Sequence, residues 1–155
     1  GIGTNLGIRE NNLRDAVNRI EEYIGRVVAS SSVYETAPWG FHSRDEFLNM
    51  VVKIETSLTP SGLLGRILMI ESQLGRLRGE KKYLSRKIDI DILLYGNEIM
   101  NEDALKIPHP QLAERRFVLV PLAEIAARLI HPVLKKSIKS LLISCPDKSS
   151  VVVYK

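Results

Sequence analysis

The chain has 155 residues, 45% of them hydrophobic and 26% charged, which fits a single domain, residues 1–155, with a core of its own and excludes a disordered or fibrous polymer. A formal net charge of +4 and a sequence pI near 9.3 favour an anionic partner, whether nucleic acid, nucleotide or acidic metabolite. The single cysteine, Cys145, rules out an intrachain disulfide and fits a reducing cytoplasm, and Glu124 and Arg128 interrupt the apolar stretch 117–130, so no membrane span is expected.

In chain order, Gly1-Ile2-Gly3 reads as the stub of a strand and residues 4–7 as a turn. Leu13, Ala16, Val17, Ile20 and Ile24 then recur at helical spacing behind Asn11 or Asn12 as cap. Residues 26–34, β-branched and serine-rich, predict a second strand, and residues 47–54 a third. In that third strand Leu48, Met50, Val52 and Ile54 form an apolar face opposite Phe47, Asn49, Val51 and Lys53. Thr59-Pro60 opens a helix bearing Leu63, Leu64, Ile67, Ile70 and Leu74, closed by Gly75. A strand follows at 86–95, then a short helical turn at 111–116 led by Pro110, helices at 121–129 and 137–143, and a closing strand at 151–154. This order predicts an α+β, ferredoxin-like αβ sandwich: an antiparallel sheet with helices on one face and a C-terminal extension.

The most informative stretch is Arg86-Lys87-Ile88-Asp89-Ile90-Asp91-Ile92-Leu93-Leu94-Tyr95. With a period of two, Ile88, Ile90, Ile92 and Leu94 share one face, and Asp89 and Asp91 share the other with Lys87, Leu93 and Tyr95. Acids are depleted in strands, and two so close repel unless a cation lies between them. Few, hard oxygen ligands suit Mg²⁺ completed by substrate phosphates, although an edge strand whose acids merely face water reads the same way. Just upstream, residues 76–87 carry Arg76, Arg78, Lys81, Lys82, Arg86 and Lys87 against Glu80 alone, with no hydrophobic period. A long basic loop beside an acidic pair matches the needs of a metal–polyphosphate complex. Two further segments carry chemistry. The loop 36–41 holds the only tryptophan, Trp39, next to Phe47 and Asn49, a platform for a flat heterocycle with an amide to read its edge. Pro110 would put His109 at a helix N-terminus, where anions bind, with Arg115 one turn on.

No GxxxxGK[ST], GxGxxG or kinase signature occurs, nor the RNP1 pattern of an RNA-recognition module. What does occur, in order, is Gly3-Thr4-Asn5-Leu6-Gly7, then Tyr34-Glu35-Thr36 with Pro38 and Gly40, Phe47-Leu48-Asn49, and Glu71 with Gly75-Arg76. Arg86-Lys87-Ile88-Asp89-Ile90-Asp91, Pro108-His109-Pro110 and Arg115-Arg116-Phe117 complete the series. Over nearly the whole chain these motifs resemble the 6-hydroxymethyl-7,8-dihydropterin pyrophosphokinases of folate biosynthesis. The resemblance implies pyrophosphoryl transfer from MgATP to the pterin hydroxymethyl group, with release of AMP. It implies two Mg²⁺ ions on Asp89 and Asp91, with Asp89 also near the pterin hydroxyl, and Arg76 and Arg86 folded over the β- and γ-phosphates. His109 and Arg115 would grip the triphosphate from the other side, and Ile92, Lys106 and Glu71 would lie near adenine. Phe47 and Phe117 would sandwich the pterin, its edge read by Asn49 and by Thr36, Ala37 and Pro38, with Trp39 closing the pocket. The implied protein is a cytoplasmic monomer acting on small molecules, with neither nucleic acid nor membrane as partner. Two departures stand out: Tyr83-Leu84-Ser85 where many members carry Trp-Gly-Pro, and Pro110 where some carry tyrosine. The alternatives are a basic ferredoxin-like nucleic-acid-binding module, which would leave Asp89 and Asp91 repelling the ligand, and a small-metabolite regulatory domain without catalysis.

Overall fold

A computed structural model of the chain describes residues 1–75 and 87–155. In chain order it contains β1 (Ile2–Thr4), α1 (Arg9–Tyr23), β2 (Arg26–Ser30), β3 (Tyr34–Thr36), β4 (Phe47–Met50), β5 (Val52–Glu55) and α2 (Pro60–Gln73). After these come β6 (Asp89–Ile90), β7 (Met100–Asn101), β8 (Lys106–Ile107), a 3₁₀ turn at Leu112–Glu114, α3 (Arg116–Ala126), α4 (Ile138–Ile143) and β9 (Val151–Val153). Five strands form one antiparallel sheet in the order β6-β1-β4-β3-β9, and β2 pairs with β5 and β7 with β8 in two small ladders. The α+β class and antiparallel sheet expected from the sequence are present.

Alternation in the strands decides where each core sits. Ile2, Leu48, Met50, Ile88 and Ile90 cover one sheet face and pack against Leu13, Ala16 and Ile20 of α1 and Leu63, Ile67 and Ile70 of α2. Each of the Leu, Ile and Met side chains, once buried, contributes about 1.5–3 kcal/mol relative to exposure. α2 starts where Thr59 Oγ1 accepts from Gly62 N (3.1 Å) with Pro60 at its first position, and ends at Gly75, whose φ of 95° suits a residue without Cβ. A second core lies on the opposite face, where Val51, Leu93 and Leu112 meet Val118, Leu119 and Leu122 of α3 and Ile138 and Leu141 of α4. Helices therefore occupy both faces, not one, because the C-terminal extension folds back over the second.

Several boundaries differ from expectation for identifiable reasons. The strands expected at 26–34 and 47–54 each appear as two. At the break Ser31 Oγ accepts from Val51 N (2.9 Å), Ser31 N donates to Val51 O (2.9 Å), and Ser32 N is taken by the Glu124 carboxylate (3.0 Å). The faces survive the break, since Val52 and Ile54 remain on the first core and Val51 on the second. α1 begins at Arg9, and Asn12 is no cap: from inside the helix its Nδ2 donates to Leu6 O (2.7 Å) and Thr4 Oγ1 (3.0 Å), holding the turn after β1. α3 begins at Arg116 with Pro121 inside it, because Asp147 Oδ2, 31 residues away, accepts from Arg116 N (3.0 Å). The turn at 111–116 is only the 3₁₀ segment, and Arg115 is extended (φ −116°, ψ 104°). The β7–β8 hairpin has no counterpart in the element order expected from sequence. Alternation in the acidic strand ends after Leu93, as Leu94 joins the second core and Tyr95 the first.

Candidate active site

Register across three strands assembles the second face. Gly3 of β1 is paired with Asn49 on one side and Asp89 on the other, and Asn49 is paired in turn with Tyr34. The ladder continues past β6, with Asp91 N donating to Gly1 O (2.8 Å). Gly1, Gly3, Phe47, Asn49, Asp89 and Asp91 thereby line a single cavity of about 270 Å³. Gly3 is required there by close approach: a Cβ on it would lie 2.7 Å from Asn49 Oδ1. Asn49 cannot simply move aside, being buried and bound through Nδ2 to Thr36 Oγ1 (2.7 Å).

The loop after β3 and the segment before α3 raise the walls. Thr36, Ala37, Trp39 and Phe41 line one side, and Phe41 meets Phe47 edge-on with centroids 6.1 Å apart. His109, Arg115, Phe117 and Val118 line the other. The His109 segment is tied to the sheet by His109 N donating to Leu93 O (2.9 Å), and the Ile107–Pro108 peptide is cis. Arg115, 7% exposed, has its guanidinium carbon 4.7 Å from the Trp39 ring centroid and 5.6 Å from that of Phe117. The cavity thus sets a carboxylate pair against a guanidinium and an imidazole, with aromatic rings between, a surface for a flat polar molecule next to a polyanion and its cation.

Of the residues singled out from the sequence, the cavity brings together Thr36, Ala37, Trp39, Phe47, Asn49, Asp89, Asp91, His109, Arg115 and Phe117. Pro38 lies in the same loop but not on the wall. Three lie elsewhere. Glu71, 4% exposed, sits beneath the sheet on α2, where its Oε2 accepts from Ile90 N (3.0 Å); Ile92 packs on the first core; Lys106 is exposed on β8. His109 is followed by a three-residue 3₁₀ turn rather than a helix N-terminus, and its Nδ1 accepts from Gln111 N (3.1 Å). Arg76, Arg86 and the rest of the basic loop at 76–86 fall outside the described residues. Residues missed from sequence include Phe41, Leu93 and Val118 in the wall and Gly3 in the floor. A glycine within a strand was the available signal for the last.

Among the described residues no cluster of three or more His, Cys, Asp or Glu side chains is arranged for a metal. The Asp89/Asp91 pair nonetheless suits Mg²⁺, which takes one or two carboxylates and draws its remaining ligands from water and phosphate. Outside the cavity, Glu124 of α3 accepts from Tyr34 Oη (2.6 Å), Ser32 Oγ (2.7 Å) and Ser32 N, latching α3 to β3. Burial, then Glu124, push the Tyr34 phenol up to about 12. Burial pushes the Glu124 carboxyl upward, but these hydrogen bonds outweigh it and hold the group below its ordinary value.

The family model for 7,8-dihydro-6-hydroxymethylpterin-pyrophosphokinase matches residues 1–127. The 2-amino-4-hydroxy-6-hydroxymethyldihydropteridine pyrophosphokinase of Methylorubrum extorquens is 47% identical over 131 residues, covering 84% of this chain and 82% of its own. Its counterpart from Aquifex aeolicus is 42% identical over 139 residues, covering 90% and 86%. Among solved structures, one described as HPPK-DHPS in complex with substrates shares the fold with a TM-score of 0.73 at 16% identity; the match covers 92% of this chain and 42% of that one.

Proposed function

The chain belongs to the 7,8-dihydro-6-hydroxymethylpterin-pyrophosphokinase family, and from that premise we propose how its residues divide the reaction. It is an ATP-dependent diphosphotransferase that carries pyrophosphate to 6-hydroxymethyl-7,8-dihydropterin in folate biosynthesis. The pterin enters between Phe47 and Phe117, with Asn49 and the Thr36–Ala37–Pro38 backbone reading its amide edge and Trp39 closing over it. Asn49 is suited to this because Thr36 fixes the orientation of its amide. Asp89, across β1 from Asn49, lies beside the hydroxymethyl group.

Asp89 and Asp91 would hold Mg²⁺, two ions in this reading, and the bound metal would supply positive charge against the phosphates. His109 and Arg115 take the triphosphate from the facing wall. With its Nδ1 engaged by Gln111 N, a neutral His109 carries its proton on Nε2, so it donates to phosphate oxygen and does not act as base. Arg76 and Arg86 complete the cationic cover. Adenine extends out of the cavity toward Ile92 and Lys106, while Glu71 supports the Asp89–Ile90 backbone from beneath. Attack on the β-phosphorus depends on in-line placement and charge stabilisation, and no residue is assigned as general base. We also read the protein as a cytoplasmic monomer.

The observation that carries this reading is the register that puts Asn49 and Asp89 on either side of Gly3, so that the acceptor and phosphate subsites share one floor. The nucleic-acid-binding alternative gains no support from the relatives. Incubation with ATP, Mg²⁺ and 6-hydroxymethyl-7,8-dihydropterin tests the reading: AMP should form only when all three are present. ATP loss that is independent of the pterin would reject it.

A further inference from the structure

We infer that Gln111, which does not line the cavity, is a positioning residue that presets Arg115, and with it His109, for a polyphosphate. The inference rests on the reading above that both groups meet the triphosphate. Gln111 touches each of them: its backbone N–H donates to His109 Nδ1 (3.1 Å), and its side-chain Oε1 accepts from Arg115 Nη2. Arg115 is otherwise held by the faces of Trp39 and Phe117, and its buried Nε has no hydrogen-bond partner among the described residues.

The chemistry of this support matters. A guanidinium taken out of water needs partners, and a carboxylate would be the strongest. A carboxylate would also neutralise the charge and compete with phosphate for the same fork. An amide oxygen with two aromatic faces orients the guanidinium while leaving its full charge to the ligand. Through its main chain the same residue holds the imidazole, so one position sets the direction of two donors on one wall.

The test uses the whole chain with Gln111→Met, which keeps the volume and removes the acceptor, and Gln111→Glu, which keeps an acceptor and adds charge. Gln111→Met should raise the KM for MgATP about tenfold, several times more than the pterin KM, and should lower the thermal midpoint, because a buried guanidinium loses an acceptor. It should also shift the emission of Trp39, the only tryptophan, in protein without substrates. Gln111→Glu should restore that emission and still bind MgATP more weakly than the wild type. In an Arg115→Ala background Gln111→Met should add nothing further. An unchanged KM for MgATP overturns the inference, and so does an equal effect in both backgrounds. Should the wild type release no AMP, the functional reading falls instead, and the emission of substrate-free Gln111→Met still decides whether Gln111 holds Arg115.

Discussion

The two faces of the β6-β1-β4-β3-β9 sheet come from the same strands by the same alternation, yet they differ in kind. The face under α1 and α2 is mostly hydrocarbon, with Leu48, Ile70 and Ile88 fully buried and the Glu71 carboxylate taken up by Ile90 N. The opposite face is hydrocarbon only where α3 and α4 cover it; the remainder carries Gly3, Asn49, Asp89 and Asp91 around a cavity. Residues adjacent in sequence, Leu48 with Asn49 and Asp89 with Ile90, thus serve different ends. Stability and chemistry can therefore be altered separately in this sheet, one residue apart.

The sharpest way to break that separation is Asp91→Ala. Turnover should fall by roughly a thousandfold as phosphate charge loses its counterion site, while the urea midpoint stays within experimental error. A variant with normal turnover would remove Asp91 from the phosphate subsite. The converse change, Ile70→Ala, should cost about 2–5 kcal/mol of stability by opening a cavity under the sheet, and leave activity per folded molecule intact. Activity lost beyond the unfolded fraction would mean that the faces are coupled. Gly3→Ala touches both: its Cβ would force Asn49 off Thr36, raising the pterin KM roughly tenfold and costing about 1–3 kcal/mol of stability, as pterin titration and urea denaturation would reveal.

The smallest effect concerns the latch on the second face. The folded-state pKa of Glu124 is depressed, so its stabilising contribution is present above the ordinary carboxyl pKa and lost as pH falls through the folded value. The group is solvent-exposed, so Glu124→Gln should lower stability at neutral pH by about 1 kcal/mol or less and flatten the acid limb of the stability–pH curve. A limb as steep as in wild type would show that other carboxyls set it.

The period-two rule made the first face legible, and polar side chains placed on the same period made the second so. Asp89, Asp91 and Asn49 drew notice because they were polar where a strand wanted apolar residues. What alternation cannot supply is register, so that Gly3 would lie between Asn49 and Asp89 was not readable from any one strand. Long-range caps were equally hidden: the start of α3 depends on Asp147, and the end of β2 on Ser31 meeting Val51 and Glu124 claiming Ser32. Glu71 was placed near adenine by its motif, whereas its buried carboxylate serves the backbone of β6. An acid at the inner side of a helix gives no local sign of which polar group it will meet. Gln111 carries no signal of its own in the sequence because its role is indirect, exerted on His109 two residues before it and Arg115 four after.

One consequence follows from β9. By pairing with β3 it turns the strand that anchors Thr36, and through it Asn49, from a border into an interior strand. Among the described residues the sheet is then bounded by strands of three and two residues, β9 and β6. Margins that short offer a neighbouring molecule few free amides to dock against along this sheet.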